Sequence, residues 1–298
     1  MRIVVTGRHG QVAQSLLERA PALNVDVHAV ARPEIDLARP AEVEQALIDL
    51  QPDVIVNAAA YTAVDRAESE PDLAYRINAL GAEAAARAAK RLGIPIIQLS
   101  TDYVFDGNLD RAYREDDPTD PLGVYGDSKL RGERAVAAAT SNHVILRTAW
   151  VYSPFGSNFA RTMLALARQR ATVSVVSDQL GAPTNALDLA DGIIAIARNL
   201  LDRPAVTELR GVFHITGGGD TNWAAFATAI LAVSAAAGGP SARVVPIATS
   251  ENPTAARRPA NSRLDNSRLA RIHGVSVAPL AARVAGMHRT ACCCFVKL

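Results

Sequence analysis

Tyr125 and Lys129 lie four residues apart in the stretch Val124-Tyr125-Gly126-Asp127-Ser128-Lys129, and Thr101 closes the apolar run Ile94 to Leu99 further upstream. On a helix that spacing puts the phenol and the ammonium on one face, about 6 Å apart along the axis. Such a trio can do carbonyl chemistry. A cation beside a phenol favours the phenolate, so Lys129 is expected to bring the Tyr125 pKa down from about 10 towards neutrality. A hydroxyl poised there can give its proton to a developing alkoxide. Thr101 is expected to hold the substrate oxygen. The same spacing also occurs on surface helices that do no chemistry, so the reading needs a hydride source and a pocket from the rest of the chain.

The hydride source is suggested at the start of the chain. Arg2 to Thr6 is a β-branched apolar run that enters Gly7-Arg8-His9-Gly10-Gln11-Val12-Ala13, after which Leu16, Leu17 and Ala20 recur at helical spacing. This is a strand, a glycine turn and a helix. Gly7 permits the tight turn, Gly10 lets the backbone approach a pyrophosphate, Ala13 lets the helix sit close to the strand, and the helix N-terminus attracts phosphate charge.

The alternation continues with strand 25–30, a helix near 40–50, strand 54–56, a long helix over 71–92, strand 94–99, the helix carrying Tyr125, and strand 144–146. Pro71 suits the first turn of the long helix and Gly93 its end, with Leu73, Ile77, Leu80 and Ala84 as one apolar face. The pattern predicts an α/β fold: a Rossmann-type doubly wound parallel sheet over residues 1–148. A smaller C-terminal α/β substrate domain is expected over residues 149–298, with room for later segments to return to the first. Ligands of such sheets bind beyond the carboxyl ends of the strands. The glycine turn, Ala58-Ala59-Ala60 and Thr101 all lie at such ends.

The end of the second strand bears on the cofactor. An acid there would hold the ribose 2′-hydroxyl of NAD, but the chain reads Ala31-Arg32. An arginine can instead pair with the 2′-phosphate of NADP, so NADPH is expected. Asp36, with Leu37 beside it, is expected near the adenosine, which keeps NADH possible. A solvated Arg32 is the bland alternative.

Composition excludes other classes. With 31 basic and 30 acidic side chains in 298 residues there is no net basic field for nucleic acid. The opening MRIVV is too short an apolar run for a secretory signal, which predicts a cytoplasmic protein. Thr221 to Ala242 carries no charge, but its small polar residues and Gly238-Gly239-Pro240 argue for a buried helix rather than a membrane span. The adjacent Cys292, Cys293 and Cys294 fit neither a disulfide framework nor a zinc site.

With these residues in view, the sequence resembles the extended short-chain dehydrogenase/reductase superfamily and, within it, the dTDP-4-dehydrorhamnose reductase family. The resemblance rests on the Gly7-x-x-Gly10-Gln11-Val12 turn, NAAAYTAVDRAESEP (57–71), STDYVFDG (100–107), PLGVYGDSKLRGE (121–133) and RTAWVY (147–152). SDQLGAPTNALDLAD (177–191) and RRPANSRLD (257–265) extend it, so that it runs from Met1 to about Asp265. It implies reduction of the C4 ketone of dTDP-4-dehydro-6-deoxy-L-mannose by NADPH, with Gln11 and Val12 contacting that cofactor, giving dTDP-L-rhamnose, a precursor of bacterial surface polysaccharide. Tyr125 would protonate the alkoxide, Lys129 would lower the tyrosine pKa and hold the nicotinamide ribose, and Thr101 would orient the carbonyl.

For the dTDP-sugar, the resemblance points to Thr62, Val64, Asp65, Asp102, Tyr103, Trp150 and Asn158. Arg258, Asn261 and Arg263 form a basic loop suited to a pyrophosphate. Trp150 as a plain core side chain, and a merely solvated loop, are the alternatives. Some relatives are Mg²⁺-bridged dimers that use acidic side chains where this chain has Ser15 and Leu187, so no metal is expected, and monomer and homodimer both stay open. After Gly274 the chain departs from the family's ending. A non-catalytic dinucleotide-binding regulator and another nucleotide-sugar reductase or epimerase are the competing readings.

Overall fold

The computed structural model describes residues 1–278. Cys292 to Cys294, and most of the segment after Gly274, lie outside the described residues. Five strands from the first half are β1 (Arg2–Thr6), β2 (Asp26–Val30), β3 (Val54–Asn57), β4 (Ile96–Thr101) and β5 (His143–Thr148). With the later strand Gly211–His214 they form a six-stranded sheet, in the order Gly211–His214, β5, β4, β3, β1, β2, and every pairing is parallel. β3 and β4 are buried throughout, as continuous apolar strands must be when helices cover both faces. Thr101 is the last residue of β4, so its side chain stands at the carboxyl edge.

One face is covered by α1 (Gln11–Arg19) and the helix Ala186–Asp202, with Leu16, Leu189, Ile193 and Ile196 packed on Ile97, Val144 and Leu146. A two-pronged ion pair, Arg19 Nε and Nη2 to Asp191 at 2.7 and 2.8 Å, joins these two helices. On the other face lie α2 (Pro40–Asp49), the helix Ala82–Leu92 and the helix Val124–Ala139. The chain therefore returns to the first sheet after residue 185. β2 and β3 flank β1 on opposite sides, and this reversal opens the crevice in which doubly wound sheets bind ligands.

The segment expected as one helix over 71–92 is broken. It runs as an α-helix over Pro71–Tyr75, a π-turn over Arg76–Gly81 and an α-helix over Ala82–Leu92. A π-turn inserts a residue into the helical repeat and rotates the turns C-terminal to it. The expected apolar face is split accordingly: Leu73 and Leu80 are exposed, while Ala82, Ala84, Ala85, Ala86, Ala88 and Ala89 are buried. Small side chains on the buried face let this helix pack close to the sheet.

A smaller layer is built from residues after β5. Strands Thr172–Val176 and Arg243–Ile247 pair in parallel, beneath helices Phe159–Ala167 and Trp223–Ala236. Ala160, Leu164, Phe226, Ile230 and Leu231 form part of its core. The uncharged segment thus supplies a packed helix, and no helix among the described residues is long and apolar enough to cross a membrane.

Candidate active site

A cavity of about 1110 Å³ opens at the carboxyl edge of the sheet. Its first wall is the glycine turn. Gly7 has φ +96°, and a β-carbon there would come within 3.2 Å of the Ala59 backbone, so only glycine lets the turn lie against the loop after β3. Thr6 Oγ1 fastens the two loops: it donates to Asn57 Oδ1 at 2.6 Å and accepts from the backbone N–H groups of Ala58 and Ala59. Gly7, Gly10, Gln11, Val12, Ala58, Ala59 and Ala60 all line the cavity, as do Arg32, Asp36 and Leu37 at the end of β2. A close-approach backbone, the N-terminus of α1 and basic side chains beyond β2 suit a dinucleotide phosphate. Arg8 joins them: its Nε donates to Ala29 O at 3.2 Å and its Nη2 to Glu34 at 3.0 Å.

Thr101, Tyr125 and Lys129 face the same cavity. Tyr125 and Lys129 ride on the helix Val124–Ala139, which is seated by two glycines. A β-carbon at Gly126 would fall 2.1 Å from Tyr103 O, and one at Gly132 the same distance from Asn78 O on the π-turn. Asn78 Nδ2 also donates to Ser128 Oγ and to Tyr61 O, tying the Tyr125 helix to the loop after β3. The Tyr103 ring meets Tyr125 edge-on, with centroids 5.5 Å apart.

The electrostatics correct one expectation. Burial pushes the Tyr125 phenol up to about 12, against the opposing pull of the Thr101 hydroxyl, and the Asp102 charge adds to the rise. Lys129 does not bring it down. Burial moves the ammonium itself down to about 8, with Glu133 resisting, and Nζ donates to Leu99 O at 2.6 Å. Both shifts come chiefly from loss of water around the group, and the ammonium is directed at the main chain. Tyr125 consequently keeps its proton at neutral pH. Beneath the helix, Glu133 is held by Ser100 Oγ at 2.5 Å and by Arg147 Nη2 at 2.7 Å, so the buried carboxylate is paired.

The residues expected around a sugar nucleotide divide into two groups. Thr62, Val64, Asp102, Tyr103 and Trp150 line the cavity. Asp102 is buried, and its carboxyl is raised to about 6, chiefly by that burial against the lowering pull of the Ser262 and Thr101 hydroxyls; Oδ1 accepts from Thr101 Oγ1 at 3.1 Å, while Oδ2 has no hydrogen-bond partner. Trp150 combines φ +49° with an indole stacked on Trp223. Asp65, Asn158, Arg258, Asn261 and Arg263 stand outside this lining. Asn158 caps the helix Phe159–Ala167 by accepting from Arg161 N and donates to Ser153 O. Asp65 accepts from Ala256 N and from Arg258 Nη2 at 2.8 Å.

Asn261 donates to Leu109 O and Arg111 O and accepts from Arg263, which also donates to Asp220 and Asp110 O. These contacts engage the loop with the protein itself. Thr148, paired in register with Thr101 and lining the cavity with an unpartnered buried hydroxyl, is a site residue that sequence reasoning missed, as is Arg8. An arginine inside the glycine turn was a readable signal for Arg8, and a threonine at a strand end inside RTAWVY was one for Thr148.

A family model described as RmlD substrate binding domain matches residues 1–291. A dTDP-4-dehydrorhamnose reductase of Sinorhizobium fredii is 48% identical over 275 residues, covering 92% of each chain. A crystal structure of a dTDP-4-dehydrorhamnose reductase from Clostridium acetobutylicum superposes with TM-score 0.87 at 35% identity, over 96% of this chain and 98% of that one. The Bacillus anthracis enzyme, solved in complex with NADP, gives TM-score 0.86 at 33% identity, over 96% and 97%. On these likenesses, and on a cavity that joins a glycine turn to Thr101, Tyr125 and Lys129, the chain belongs to the dTDP-4-dehydrorhamnose reductase family of the extended short-chain dehydrogenases/reductases.

Proposed function

We propose that the protein reduces the C4 ketone of dTDP-4-dehydro-6-deoxy-L-mannose to dTDP-L-rhamnose with NADPH, NADH being the weaker alternative. The observation that carries this reading is the meeting of Thr101, Tyr125 and Lys129 with the glycine turn in one cavity. Gly7, Gly10, Gln11 and Val12 would hold the pyrophosphate at the N-terminus of α1, with Arg32 and Arg8 towards the 2′-phosphate and Asp36 and Leu37 near the adenosine. The bound nicotinamide supplies the hydride.

The protein's own residues do the rest. Thr101 Oγ1 orients the carbonyl oxygen. Tyr125, protonated at neutral pH because burial holds its pKa near 12, gives its Oη proton to the oxygen as the carbon takes the hydride. Lys129 donates one proton to Leu99 O, and its ammonium has two further protons with which it would hold the nicotinamide ribose. Thr62, Val64, Tyr103 and Trp150 would wall the sugar nucleotide. The cytoplasm, where nucleotide sugars and NADPH coexist, is the expected location, with the chain acting as a monomer or homodimer.

The test is absorbance at 340 nm with purified protein, NADPH and freshly prepared dTDP-4-dehydro-6-deoxy-L-mannose. Cofactor oxidation with formation of dTDP-L-rhamnose is the expected result. NADPH binding without oxidation would leave a dinucleotide-binding regulator instead.

A further inference from the structure

The smaller layer reaches the active-site cavity through Trp150. This residue follows β5 and lines the cavity, yet its backbone has φ +49°, a conformation that a bulky side chain rarely adopts. Such a conformation persists only where the surroundings over-determine it, and it concentrates at ligand sites. The surroundings of Trp150 are specific. The Trp223 indole, from the first turn of the helix Trp223–Ala236, lies flat against its ring, with centroids 3.6 Å apart and planes 14° apart.

Gly181 lies against the Trp150 ring, where an added β-carbon would fall 2.4 Å from the indole. Phe159 packs on Trp223 at 4.5 Å and on Phe226 at 5.5 Å, so the stack is braced by the core of the smaller layer. Trp150 O accepts from Thr184 N, which fixes the strained backbone from the other direction. Trp223 itself does not reach the cavity.

We infer that Trp223 is a positioning residue of the sugar-nucleotide site: stacked on Trp150, whose ring also abuts Gly181, it sets where that indole stands in the cavity wall. The inference rests on the reductase reading only in naming the ligand. Nothing in it touches the proton donor or the glycine turn, so the effect should fall on binding of the sugar nucleotide rather than on the chemical step.

Trp150 and Trp223 are the two tryptophans of the chain, so the stack has its own signature, an exciton couplet in circular dichroism. Trp223→Leu should abolish the couplet and raise KM for the dTDP-sugar by about tenfold, the upper end of what one aromatic pair contributes. kcat and the NADPH Kd should stay within about twofold. Trp223→Phe should restore most of the KM. Gly181→Ala, which leaves Trp223 untouched but drives a methyl into the Trp150 ring, should raise KM in the same way, and it carries the test if Trp223→Leu folds poorly.

An unchanged KM in Gly181→Ala and in folded Trp223→Leu, with the couplet altered, would overturn the inference. A wild-type protein that binds the sugar nucleotide, read by tryptophan quenching, but does not turn it over would defeat the reductase reading instead. The Kd values of the same variants would then decide the role of Trp223.

Discussion

The carboxyl edge of the sheet and the loop 256–265 both bury polar side chains, yet they treat them in opposite ways. At the edge, Asp102 Oδ2 and Thr148 Oγ1 are buried without a partner, and burial moves Tyr125 and Lys129 towards their neutral forms. In the loop, Asn261 is 5% exposed and its amide is engaged three ways, with both Nδ2 bonds at 2.7 Å. Leaving a buried polar atom unmatched costs about 1–3 kcal/mol, so a fold tolerates it where the missing partner is a ligand. Arg258 falls between the two: Nη2 pairs with Asp65 while Nη1 is buried and unmatched. Polarity alone does not mark a site; unmatched polarity facing a cavity does.

The contrast is most strongly tested at its two extremes. Tyr125→Phe keeps the ring against Tyr103 and removes the proton donor, so kcat should fall by about 10²–10⁴-fold with NADPH binding retained. Steady-state kinetics with a cofactor titration checks this, and near-normal turnover would mean that another group gives the proton. Asn261→Ala should do the reverse. It strips partners from Leu109 O, Arg111 O and Arg263, so stability should fall by about 3 kcal/mol in urea unfolding, while folded protein keeps its kcat/KM within a few-fold. A stable Asn261→Ala protein with its sugar-nucleotide KM greatly raised would make Asn261 a ligand residue and break the comparison.

Asp102 lies on the unmatched side and gives a pH test. Its folded carboxyl is raised from 3.8 to about 6, so the buried acid contributes stability that is fully present below about pH 4 and is lost as pH rises through 6. At pH 7.5 the ionised carboxylate should cost roughly 3 kcal/mol. Asp102→Asn is therefore expected to raise Tm at pH 7.5, to leave it nearly unchanged at pH 4, and to weaken the sugar nucleotide. Equal Tm changes at the two pH values would show that the carboxylate is not destabilising. His214 has the opposite sign: buried and pushed down to about 3, it withdraws stability as pH falls below its ordinary range.

The parallel order of the sheet and the convergence of Thr101, Tyr125 and Lys129 were legible because each follows from local pattern: apolar runs, a glycine turn and helical spacing. What was not legible depended on contacts across the chain. Whether Lys129 faces Tyr125 or Leu99 O is a matter of ångströms, and burial of the pair, which decides the pKa balance, is set by Gly126 and Gly132 meeting Tyr103 and Asn78. Leu73 and Leu80 were misassigned to a buried face because nothing in their spacing announces the π-turn at Arg76–Gly81. Asn158 was readable as a helix cap, since an asparagine before an apolar helical run is the usual N-terminal signal. Asn261 was not, because its partners are Leu109 and Arg111, far back in the chain.

The smallest expected effect falls on the cofactor, where two arginines differ in the same respect as the two regions. Arg32 is exposed, and its freedom must be lost before it can grip a phosphate. Arg8 is held beforehand by Ala29 O and Glu34, with its guanidinium already beside the end of β2. A preorganised cation contributes more to binding than a mobile one of equal charge. Arg8→Ala should therefore raise the NADPH Kd by about tenfold and Arg32→Ala by about threefold, with NADH within about twofold for both. Glu34→Ala should weaken NADPH by about twofold, by releasing Arg8. Isothermal titration at two salt concentrations separates these outcomes, because a phosphate contact weakens with salt. Equal losses of NADPH and NADH in Arg8→Ala would mean that this arginine supports the turn and not the 2′-phosphate.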